Sequence, residues 1–124
     1  MMREKIASTI ESAINHLENS VKALVKKDEE GAVSTVWRAA SDLEYALFLF
    51  SITHQEEFKS PSQKLDLDSR QVDIGPALIL AQDLLREAKG SVVVGELHEA
   101  RRKTLLARGH ILRLQETFEK RRRV

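Results

Sequence analysis

The C-terminal third of the chain carries the pattern that most restricts its fold. Leu97, Ala100, Thr104, Ala107, Ile111, Leu114 and Phe118 recur in alternating steps of three and four residues. A helix with about 3.6 residues per turn brings such positions onto one side, whereas a strand scatters them over two faces. The same rhythm runs through Ile10, Ile14, Leu17, Val21 and Leu24. It returns in Val33, Val36, Ala40, Leu43, Leu47 and Phe50, with Trp37 widening that face, and more briefly in Ala77, Ala81, Leu84 and Ala88. Each seam must be covered, and four of them can cover one another. The expected fold is all-α: an antiparallel four-helix bundle with helices near residues 3–27, 29–57, 76–89 and 94–121. Its core would be Ile10, Ile14, Leu17, Val21, Trp37, Ala40, Leu43, Leu47, Leu84, Ala100, Ala107, Ile111 and Leu114.

Local signals set the boundaries. Lys22, Lys26 and Lys27 suit the negative end of the first helix dipole, and Asp28 before Glu29 and Glu30 reads as the N-cap of the second helix. Pro76 opens the third helix at its first position, and Gly90 is expected to end it. Val92–Val94 fits either a strand or a first helical turn. The 58–75 connection contains the turn Ser60–Pro61–Ser62 and the two-residue alternations Leu65/Leu67 and Val72/Ile74. On these boundaries the third helix is half the length of the others. Half of one groove is then left open, to be lidded by the connection or by a second copy of the chain.

With 124 residues, the chain suits a single domain, 1–124, ending in a basic tail at 120–124. There is no Cys, which excludes disulfides and thiolate chemistry. The apolar run Ala46–Phe50, matched in length by Ala77–Ala81, is far short of a membrane span. No basic-then-apolar opening suggests a signal peptide, so a cytoplasmic protein is expected. Few Asn and Gln beside many Glu, Lys and Arg give the composition a thermophile-like cast.

Catalytic patterns are absent. No Glu-x-x-His pair is present to build a metal centre within a bundle; His54 with Glu57 has the reverse order. Glu96-x-x-Glu99 matches one half of the paired-acid motif of helical nucleotide pyrophosphohydrolases, and no second half follows. Asp66-x-Asp68 offers too few carboxylates for a cation site. HEPN ribonucleases carry Arg and His separated by four to six residues on one helix; here Arg102 and His110 have seven between them, and Arg108 and His110 have one. No phosphate-binding Gly-rich loop or nucleophile elbow occurs. The expectation is a non-enzymatic protein with no cofactor, no metal and no identifiable small-molecule substrate.

Two surfaces stand out instead. The segment Tyr45–Ile52 is apolar nearly all round, so Tyr45, Phe48, Leu49 and Ile52 cannot all face one seam. They are candidate self-association residues, and a homodimeric adaptor or accessory subunit is the expected function. The second surface follows charge. Residues 1–62 hold 7 basic and 10 acidic side chains, net −3; residues 95–124 hold 9 and 4, net +5. Arg102, Arg113 and Lys120 align opposite the last seam, with Lys103 and His110 beside them and Arg121, Arg122 and Arg123 beyond. Such a stripe suits nucleic acid or an acidic protein partner, and a nucleic-acid-associated protein, with a cryptic HEPN-like nuclease as one form, is the alternative.

Overall fold

A computed structural model describes residues 2–53 and 73–122. They form four helices: α1 (Met2–Val25), α2 (Glu29–Thr53), α3 (Ile74–Val93) and α4 (Leu97–Arg122). Among the described residues there is no strand. The expectations placed on residues 54–72, and on the side chains of Arg122 and Arg123, lie outside the described residues.

The helices form a ring in which α1 packs on α2 and α3, and α4 packs on α3 and α2, while α1 and α4 stay apart. Cross-helix polar contacts give the directions. The Ser12 hydroxyl donates to Asp42 at 2.7 Å, and Ser20 donates to the Ala32 carbonyl at 3.2 Å; these contacts run α1 against α2. Arg108 meets Glu44 and Arg121 meets Glu29, setting α4 against α2. Arg3 donates to the carbonyls of Val92 and Val93, and Lys89 pairs with Glu11 at 2.9 Å, setting α3 against α1. Every neighbouring pair is thus antiparallel, and the diagonal helices α2 and α3 point the same way. Thr53 and Asp73 therefore sit toward opposite ends of the bundle.

The first turn works as expected. Asp28 caps α2 by accepting from the Gly31 amide at 3.0 Å. Lys27, at φ 62, closes the end of α1: its amide reaches Leu24 O at 3.0 Å and the Asp28 amide reaches Ala23 O at 2.8 Å. The end of α3 departs from expectation. The helix passes through Gly90, where nothing crowds a would-be Cβ, and stops at Gly95, φ 85. The same two-bond closure forms there, Gly95 N to Val92 O at 3.0 Å and Glu96 N to Ser91 O at 2.8 Å. Val92 is buried, so the last turn of α3 is held by packing that its Gly-containing sequence does not advertise. Pro76 is the third residue of α3 rather than the first, still among the positions whose amide has no intrahelical partner. With 20 residues against 24 to 26, α3 is nearly full length. The half-length helix that would leave a groove open is therefore not found among the described residues.

Most of the expected seam is buried: Ile10, Ile14, Leu17, Leu43, Ala100, Ala107, Ile111 and Leu114 form one core with Ile6, Phe50, Leu78, Leu85 and Phe118. Val21, Ala40, Leu47 and Leu84 pack at its edge. Trp37 is the exception, being 51% exposed. The buried residues of α2 are Ala32, Val33, Val36, Ala39, Leu43, Ala46, Leu49 and Phe50, centred on the line Ala32, Ala39, Leu43, Ala46 and Phe50. Its alanines bring the helix close to its neighbours, and Trp37 lies across the helix from that line.

Candidate functional site

Trp37 belongs to a second line on α2. Taken at about 100° per residue, Trp37, Ser41, Tyr45, Phe48 and Ile52 fall within about 80° of one another, on the side away from Ala39, Leu43, Ala46 and Phe50. The four large members remain open to solvent: Trp37 51%, Tyr45 43%, Phe48 56% and Ile52 39%. Leu49, expected among them, is 2% exposed and belongs to the core. Its position lies between the stripe and the Ala46 line, and packing into the core cluster is what encloses it. The stripe is about 22 Å long at about 1.5 Å per residue.

Its residues are held in place. The Tyr45 and Phe48 rings stack with centroids 6.5 Å apart and planes 20° from parallel. The Lys5 ammonium of α1 lies 5.7 Å from the Tyr45 centroid, a cation–π contact on one flank. The Glu44–Arg108 ion pair to α4 closes the other. Near the Thr53 end, Met2, Arg3, Ala7, Thr53, Val92, Val93 and Leu97 line a recess of about 560 Å³.

The basic surface of α4 is arranged differently. Arg102 makes a two-point contact with Glu99, with Nε 3.1 Å from Oε2. Lys103 lies 3.8 Å from Glu99 and 4.0 Å from Glu87 of α3. Lys120 pairs with Glu116 at 3.5 Å, and Arg121 with Glu29 of α2 at 3.2 Å. The Arg102 hydrogen bond keeps the Glu99 carboxyl below its ordinary range, against a smaller opposing effect of burial. Mid-helix, the expected outward face is not fully solvated: Gly109 is buried, and Leu105, Leu106, His110, Leu112 and Arg113 are half-buried. The Nε of Arg113 is buried with no hydrogen-bond partner among the described residues.

His110 sits in this half-buried stretch. Burial, and then the nearby Arg113 charge, lower its pKa from the ordinary 6.5. The unfolded chain therefore binds a proton more readily than the folded one, and protonation favours unfolding. Stability should fall as pH drops through about 6.5 toward the lower folded value. His110→Gln should flatten that part of the profile, as measured by urea midpoints across pH 5 to 8.

A polar cluster that the sequence reading did not single out joins α1 to α2. Asp42 accepts from the Ser12 hydroxyl, and its Oδ2 lies 3.5 Å from His16 Nε2. Ser, His and Asp meet here, but in the wrong order for nucleophile activation. The carboxylate occupies the hydroxyl proton, and the imidazole faces the carboxylate rather than the serine. The cluster pins the helical register instead. Among the described residues no three His, Asp or Glu side chains converge as metal ligands, and no helix is long and apolar enough to cross a membrane.

Comparison with protein-family models, curated proteins and solved structures finds no match to this chain.

Proposed function

We propose that this protein is a non-enzymatic helical interaction module that works as a homodimer, joined through the outward stripe of α2. One observation carries the reading: four large apolar side chains aligned on a face that none of the four described helices covers. Scattered apolar residues on a surface are ordinary; a contiguous, aromatic-rich line is a mark of an interface. The ring stack and the Lys5 contact limit the side-chain freedom that association would otherwise have to remove.

Pairing within the molecule is the reason that nucleic acid is not placed first. A phosphate backbone would have to compete with Glu99, Glu87, Glu116 and Glu29 for the cations of α4. Generic RNA or DNA should show no mobility shift at low salt; a shift that weakens steeply with salt would move the function to α4.

Trp37 is the sole Trp and lies in the stripe, so it reports directly on the proposal. Raising the protein concentration through the micromolar range should move its emission to shorter wavelength and protect it from iodide quenching. Over the same range, light scattering should rise from the 14.1 kDa chain mass to twice that value. A constant 14.1 kDa with Trp37 still quenchable would sink the reading.

A further inference from the structure

The stripe mixes large and small side chains. Its large residues, Trp37, Tyr45, Phe48 and Ile52, are interrupted by the small, exposed Ser41. We infer that two copies pair α2 against α2 antiparallel, about a two-fold axis between Glu44 and Tyr45. This rests on the dimer reading above. In this register Phe48 of each copy seats over Ser41 of the other, Trp37 lies on Ile52, and the two Tyr45 rings flank the axis.

A parallel pairing would set each residue against its own copy. Trp37 would meet Trp37 and Phe48 would meet Phe48, while two Ser41 side chains left a gap between them. Close packing favours alternating large and small partners over that arrangement. Antiparallel pairing also sets Trp37 of one copy near Thr53 of the other, and so near the mouth of the recess that Thr53 lines. A two-fold interface of this kind uses the same patch on both copies and closes at two, without propagating.

The available area fits a second copy of the chain. An aromatic side chain can bury about 150–250 Å², and the four large residues here are about half exposed. Together they offer on the order of 400 Å² of apolar surface per copy. A standard interface needs about 800 Å² per partner, a little over half of it apolar. The polar remainder is at hand in Ser34, Arg38, Ser51 and Lys5, all exposed around the stripe.

The absence of Cys makes the register directly measurable, since any introduced thiol is the only one present. Disulfides need Cα atoms within about 7 Å. In the inferred register two copies of residue 44 lie one residue apart along the axis. Two copies of residue 41, or of residue 48, lie seven residues apart, about 10 Å at about 1.5 Å per residue. Under mild oxidation Glu44→Cys should therefore cross-link to itself and Ser41→Cys should not. Ser41→Cys mixed with Phe48→Cys should yield the mixed disulfide.

Residues 41 and 44 are exposed; residue 44 lies outside the apolar contacts and Ser41→Cys adds only a small side chain beneath Phe48, so those two variants keep the test valid even if Phe48→Cys weakens association. Circular dichroism and light scattering on each variant establish fold and mass first. Self-cross-linking at 41 as strongly as at 44 would overturn the register while leaving the dimer. Dimer mass with no cross-link at either position would place the interface elsewhere. Monomer mass at every concentration for the parent chain would overturn the dimer reading itself.

Discussion

Phe48→Glu should leave the helical circular dichroism intact and convert the proposed dimer into a 14.1 kDa monomer. Phe48 is the most exposed member of the stripe, at 56%, and makes no part of the core. Covering a Phe fully is worth roughly 1.5–3 kcal/mol. A half-exposed Phe gains about half of that, and a two-fold interface counts it twice. Loss of the pair therefore costs about 1.5–3 kcal/mol, or roughly 10- to 150-fold in Kd. Desolvating two introduced carboxylates adds to the loss. Light scattering at micromolar concentration reads the result. A variant that stays dimeric would remove the outward face of α2 from the interface.

The contrast between Phe48 and its neighbours also shows what the sequence could and could not disclose. Helix class was legible because the three-and-four spacing is a direct imprint of 3.6 residues per turn, and eight of the expected core residues are buried. The inward side of α2 was harder to find. Phase alone does not separate a seam through Ala40 and Leu47 from one through Ala39, Leu43 and Ala46; both contain apolar residues at helical steps. The decision rests on which neighbours approach. The alanine line admits close contact, and that turns Trp37 out and Leu49 in.

Neither the end of α3 nor the state of the α4 cations could be read from local pattern. Gly90 and Gly95 are both plausible stops, and burial of Ser91 and Val92 decides between them. Two of the acid partners on α4, Glu99 for Arg102 and Glu116 for Lys120, were visible as i,i+3 and i,i+4 pairs. Glu44, Glu29 and Glu87 reach their partners from other helices. Those contacts depend on α4 lying between α2 and α3, which is topology and leaves no trace in spacing.

Two residues along from Phe48, Phe50 should behave in the opposite way. It is 0% exposed and the largest of the fully enclosed side chains. Its position on α2 faces the core that Leu43, Ala46 and Leu49 also enter. Phe50→Ala removes a full transfer contribution and leaves a cavity that surrounding helices close only in part. The cost is about 3–5 kcal/mol, a large fraction of the 5–15 kcal/mol that holds a typical domain together. At about 3–5 °C per kcal/mol for a chain of this size, the melting temperature should fall by roughly 10–20 °C. Dimer formation stabilises the folded chain by mass action, so the comparison belongs in a Phe48→Glu background, where association no longer contributes. There the Phe50→Ala loss should persist in full at every protein concentration. A Phe50→Ala chain that melts within a few degrees of its parent would mean that the inward face of α2 is misassigned. The outward stripe, and the dimer built on it, would fall with that assignment.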